Sequence, residues 1–169
     1  MKTPLNGSIN TYSNIQFNLL NPTSDMVNIH DIAKGLAYKA HFGGQTPFYF
    51  SIAQHSLLTY HLMSEDYDNI KLLLLALLHD ASEAYIGDMV KPLKVHLPLF
   101  CEVEDKIMKE ICVKFDLNFD DLSLVKPYDI MSQDMEFDTF FNGGNFVHSV
   151  GPDNIYDEFL RIFNKLYKK

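Results

Sequence analysis

The chain has 169 residues, 47% of them hydrophobic, and a formal net charge of −8. That length and apolar content suit one globular domain with a full core, and two domains would each be uncomfortably small. The acidic balance disfavours a binder of nucleic-acid backbones, whose affinity rests on Lys and Arg matching phosphates.

The Met1-Lys2-Thr3-Pro4 opening has no apolar core or cleavage-site pattern, so no signal peptide is expected. The first 27 residues read as irregular, with "NIQFNLLNP" a short strand or hairpin. Ile29, Ile32, Ala33, Leu36, Ala37 and Ala40 then fall at helical spacing, and Gly43-Gly44 stops the segment. Ser51 is placed to cap a second helix running to about Ser64. A third is predicted from about Asn69 to Tyr85, ending near Gly87. Its apolar run, Leu72 to Leu78, is far short of the roughly 20 residues that span a bilayer. "KPLKVHLP" reads as a loop or short turn. Leu99, Val103, Ile107, Met108, Ile111 and Phe115 mark a fourth helix, and its Cys101 and Cys112 read as reduced core residues rather than a disulfide. A cytoplasmic location is therefore expected. Asp120 or Ser123 opens a fifth helix through Phe141, stopped by Gly143-Gly144. Pro152 or Asp153 begins a last amphipathic helix carrying Ile155, Phe159, Ile162, Phe163 and Leu166. The expected class is all-α, a compact bundle of about six helices, and Lys168-Lys169 reads as a solvated end.

The run "LLLLALLHDASEAYIGD" passes abruptly from core-forming residues into His79, Asp80, Glu83 and Asp88. Charges that leave a core segment need a counterpart. His79 and Asp80 are consecutive, about 100° apart on a helix, so both reach one ion only from a helix end or rim. Glu83 lies four residues on, over the same face as His79. His55 stands one turn inside the preceding helix, and antiparallel pairing of the two helices brings the two histidines together. His30, His41, His61, His96 and His148 have no comparable company. A further carboxylate can come from "VKPYDIMSQDMEF", where Asp129 shares a face with Glu136, with Gln133 between them. Asp134 is its rival on another face, and Asp129 can equally serve as a helix cap after Pro127.

These residues resemble the HD-domain phosphohydrolase superfamily, whose signature is H…HD…D around a divalent metal. "HDASEAYIGDMVKPLK" resembles the "HDxxEaxxGDxxxPxK" run of its 5′-deoxynucleotidase-like branch. "GGQTPFYFSIAQHS" is similar to the run that carries the first histidine, and "VKPYD" to the one that carries the last aspartate, which favours Asp129 over Asp134. The lead-in "TYSNIQFNLLNPTSDMVNIHDIAKGL" is similar to that of small phage and bacterial members. The resemblance covers about Thr11 to Phe141. In length and layout the chain looks most like phage enzymes that hydrolyse dATP to deoxyadenosine and triphosphate, which would place it in a host cytoplasm.

The resemblance implies His55, His79, Asp80 and Asp129 as metal ligands and Glu83 as the residue that handles the proton. It implies Asp88 as a second carboxylate near the sugar or a further metal. One departure stands out: His41 occupies the place of an arginine that would clamp phosphate, and Gln45 that of the usual histidine. A bidentate guanidinium fork is missing there. Lys39, His41, Gln45, Lys91 and Lys94 are the remaining candidates for substrate binding. Phe42, Phe48, Tyr49, Phe50 and Tyr85 can stack on a base, although core packing is the commoner fate of such residues. A mixed His/Asp set suits Zn, Co, Mn or Fe better than Mg, with additional Mg or Co accompanying a triphosphate. The expected activity is dNTP triphosphohydrolysis, with 5′-deoxynucleotidase action on dNMPs as the alternative. A cyclic-nucleotide or (p)ppGpp hydrolase is a more distant enzyme alternative, and a non-catalytic nucleotide- or metal-binding helical module is the non-enzyme one. The expected partner is a small nucleotide, with neither nucleic acid nor membrane, and a homo-oligomer is expected from the resemblance.

Overall fold

The computed structural model describes residues 7–144 and 150–168. The Met1–Pro4 opening, His148 and Lys169 lie outside the described residues. The architecture is all-α: among the described residues, eight helices follow one two-stranded hairpin. The hairpin pairs β1 (Ser8–Asn10) with β2 (Gln16–Asn18), Ile9 opposite Phe17. Phe17 is fully buried and stacks on Tyr85 at 3.9 Å between ring centroids, which pins the hairpin to the bundle.

Local chemistry fixes the helix starts. Asn28 accepts from the His30 amide and opens α1 (Ile29–Tyr38). Ser51 and Gln54 form a reciprocal capping box that opens α2 (Ile52–Asp66). Asn69 accepts from the amides of Lys71 and Leu72 to open α3 (Ile70–Leu78), whose seven residues from Leu72 to Leu78 are all buried. Between α1 and α2 the chain turns through Phe42, Gly43 and Gly44, all at positive φ. Glycine adopts that conformation freely, but Phe42, at φ 53°, is strained.

The predicted third helix is interrupted. α3 ends at Leu78, residues 79–82 form a turn, and α4 (Glu83–Ile86) follows. His79 Nδ1 lies 2.8 Å from the Ala76 carbonyl. That carbonyl would otherwise receive the Asp80 amide in a continuing helix, so the side chain competes with the ladder. The backbone then coils more tightly, with Glu83 N donating to Asp80 O at 3.0 Å.

The "KPLK" segment, predicted as a loop or turn, forms one helical turn, α5 (Lys91–Lys94). α6 (Pro98–Phe115) and α7 (Leu122–Phe141) carry the second half of the bundle. α7 runs through Pro127, so Asp129 lies inside the helix instead of capping it. The last helix, α8 (Pro152–Leu166), buries Ile155, Phe159, Ile162, Phe163 and Leu166, the stripe its spacing predicts. α2 packs between α3 and α7, while α8 covers α1 and α3. Cys101 and Cys112 are both free, Cys112 buried and Cys101 half-buried. No described helix is long and apolar enough to cross a membrane.

Candidate metal centre

Four side chains from three helices meet at the end of α3. His55 projects from the first turn of α2, His79 caps α3, Asp80 follows it, and Asp129 comes from α7. His55 Nε2 is 3.3 Å from His79 Nε2, 3.5 Å from Asp80 Oδ2 and 3.1 Å from Asp129 Oδ1. His79 Nε2 is 3.2 Å from Asp80 Oδ2 and 3.7 Å from Asp129 Oδ1. Neighbouring donors on a shell about 2.1 Å from an ion would stand about 3.0–3.4 Å apart. Three of the five spacings fall within that range, and the other two, at 3.5 and 3.7 Å, are slightly wider.

The outer edges of both imidazoles define what the inner edges can do. The Ala76 carbonyl can only accept, so His79 Nδ1 carries a proton, and in the neutral ring its Nε2 presents a lone pair. His55 Nδ1 likewise faces Glu136 Oε1 at 2.9 Å, which in the neutral ring leaves Nε2 as the inward lone pair. With both rings neutral, two imidazole lone pairs and two carboxylate oxygens converge here, and either a bound cation or protons on the two Nε2 atoms would hold them together. The charge balance agrees. Burial opposes protonation of His55, but Asp129 and Glu136 outweigh it and push the metal-free imidazole up to about 9. His79 is raised too, burial again being overcome, here by Asp80 and Asp129. Asp129 is held well below the usual carboxylate range: burial resists ionisation, and hydrogen bonds from the two histidines and Lys126 prevail. Lys126 Nζ pairs with its outer oxygen Oδ2, and Gln133 Nε2 donates to Oδ1 at 2.8 Å.

Glu83 lies beside this centre on α4, 7% exposed, and its Oε2 has no hydrogen-bond partner. Burial first, then the negative charges of Asp80, Asp88 and Glu104, push its carboxyl up to about 10. It therefore carries a proton at neutral pH. Asp88 accepts or shares a proton with His41 Nδ1 at 3.1 Å.

The candidate substrate contacts divide differently. His41 is buried, stacked on His55 at 4.7 Å, with Nε2 3.5 Å from Glu136 Oε2. It faces the centre's own carboxylates. Lys39 donates to the carbonyls of Glu83 and Ala84 at 2.8 and 2.6 Å, bracing α4. Lys94 is paired with Glu104 at 2.5 Å. Lys91 and Gln45 are exposed, and no contact ties either to the centre. Tyr85 is core, whereas Phe42 and Phe50 surround Phe140 with Phe48.

Sequence reasoning placed Glu136 and Gln133 on the Asp129 face without giving either a role. Their seven- and four-residue spacing from Asp129 was the available signal. Lys126 had a weaker one, three residues before Asp129. Glu104 had none, because α6 meets this region only through tertiary packing.

No family model matches the chain. It is 37% identical over 107 residues to an uncharacterized protein of Rhodobacter capsulatus, covering 60% of this chain and 55% of that protein. It is 35% identical over 109 residues to the uncharacterized protein YfdR of Escherichia coli K12, covering 64% of this chain and 58% of YfdR. The chain thus spans little more than half the length of these curated relatives, and neither name carries an activity. The helical fold and its buried His/Asp/Glu cluster, able to hold a metal ion, are compatible with an HD-type domain.

Proposed function

We propose that this protein is a divalent-metal-dependent phosphohydrolase acting on deoxynucleotides, with dNTP triphosphohydrolysis of dATP as its leading reaction. The observation that carries the metal-dependent part is the convergence of His55 Nε2 and His79 Nε2 with the carboxylates of Asp80 and Asp129. The nucleotide part rests on the resemblance of "HDASEAYIGDMVKPLK" to the 5′-deoxynucleotidase-like branch.

His55, His79, Asp80 and Asp129 would hold the ion, and a Zn, Co, Mn or Fe ion suits their mixed nitrogen and oxygen donors. When bound, such an ion supplies an acidified water and polarises a phosphoryl oxygen. The chain's own residues do the remainder. Glu83 keeps a proton at its carboxyl next to the centre and can deliver it to a leaving oxygen. Lys126, more than half exposed while paired to Asp129, supplies positive charge at the rim of the centre. His41, turned toward Asp88 and Glu136, leaves the position of the expected arginine without a forked donor.

The test is a substrate panel of the four dNTPs and four dNMPs with protein stripped by chelator and reloaded with Mn, Co or Zn. Inorganic triphosphate from dATP is the expected product. Orthophosphate from dAMP with no reaction on dATP would transfer the assignment to a 5′-deoxynucleotidase. Turnover that persists unchanged in Asp80→Ala would end the catalytic reading of this centre, and no turnover of any substrate would favour a binding module.

A further inference from the structure

The geometry points to Glu136 as a positioning residue that fixes which edge of His55 faces the metal centre, an inference that rests on the metal reading above. Asp129 and Glu136 are seven residues apart on α7, so one helix face delivers two carboxylates to opposite edges of the same imidazole. Asp129 Oδ1 meets Nε2 at 3.1 Å and Glu136 Oε1 meets Nδ1 at 2.9 Å. His55 is fully buried and Glu136 is 3% exposed. Among the described residues, no Lys or Arg forms an ion pair with Glu136. Its close partner is the His55 ring, and a buried carboxylate held by an imidazole alone is costly to keep, so its retention calls for a task.

That task follows from imidazole chemistry. A carboxylate at Nδ1 holds the proton there, leaves Nε2 as the single lone pair, and makes that nitrogen a stronger donor. Ser132 Oγ also approaches Nδ1, at 3.3 Å, but its own hydrogen goes to the Asp129 carbonyl at 2.8 Å. It supports the proton at longer range and brings no charge. The second oxygen of Glu136 makes no hydrogen bond and looks toward His41, which is itself tied to Asp88. Glu136 therefore links the His55 edge of the centre to the Asp88 edge.

Two variants separate charge from hydrogen bonding. Glu136→Gln keeps an acceptor for Nδ1–H and loses the charge; Glu136→Leu loses both. Zn²⁺ affinity of each purified full chain is measured by chelator competition, alongside 15N–1H spectra of the zinc-loaded histidine rings. Affinity is expected to fall about 10-fold in the Gln variant and about 100-fold in the Leu variant. The His55 Nδ1–H resonance is expected to survive in Gln and vanish in Leu. A purely structural role would lower the melting temperature of the metal-free protein and leave zinc affinity unmoved, and that result would overturn the inference. If the Leu variant does not fold, the near-isosteric Gln variant decides it: wild-type affinity overturns it. Wild-type protein that binds no zinc would instead remove the metal reading itself.

Discussion

Glu83 shows how a single residue can be costly to the fold and useful to the site. Its folded pKa, about 10, lies above the ordinary glutamate value of 4.5. Between those values the unfolded chain releases a proton that the folded chain keeps, so this residue's contribution to stability falls as pH rises. Glu83→Gln removes that liability. The metal-free variant is expected to be more stable than wild type at neutral and alkaline pH, by roughly 1–3 kcal/mol, and to lose part of the pH slope. Deoxynucleotide hydrolysis is expected to drop by about 10²–10⁴-fold, since the proton donor is gone. Thermal melts across pH and initial rates check the two halves separately. A variant both less stable and fully active would contradict the assigned protonation state and role.

The site depends on how closely α1 and α4 approach. Gly35 lies in α1 with no room for a side chain: a Cβ there would stand 2.6 Å from the Ala84 carbonyl oxygen and 2.8 Å from its Cα. The same short helix is held from α1's end by Lys39, whose ammonium donates to the Glu83 and Ala84 carbonyls. Gly35→Ala must push backbone, not a flexible side-chain tip, and is expected to cost about 1–3 kcal/mol. Because the displaced segment carries Glu83, turnover should fall more than metal affinity, whose ligands lie on α2, on α7 and in the turn that ends α3. Denaturant unfolding and chelator competition on this variant measure those effects. Unchanged stability would show that α4 shifts without penalty.

Across the whole molecule, the bundle concentrates acidic groups around two histidines, and in metal-free protein protons must supply the missing positive charge. His55 has a folded pKa of about 9 against an ordinary 6.5. Its stabilisation is therefore present below about 6.5 and is lost as pH climbs through about 9, the same direction as for Glu83. Chelated protein is expected to melt at progressively lower temperature over that window. Adding Zn²⁺ or Mn²⁺ is expected to raise the melting temperature, with a larger increment at alkaline pH, because metal and protons compete for the same nitrogens. Calorimetry with and without chelator checks this; a metal increment that shrinks with rising pH would place the ion elsewhere.

The helical class and most helix ends were legible in the residues themselves, because they depend on local chemistry: Asn28, Ser51 and Asn69 as caps, and a 3.6-residue apolar stripe on α8. The juxtaposition of His55 with His79 was legible too, since two helices joined by a short break pack antiparallel. Only the tertiary structure decided what each polar group faces. The inward turn of His41 depends on Asp88 and Glu136, residues 47 and 95 positions away. Lys39 braces α4 instead of standing free, and Glu104 joins the acidic edge from α6. Spacing along a chain fixes faces and periodicity, but the direction of a buried charge is set by its partners, which packing brings from distant sequence.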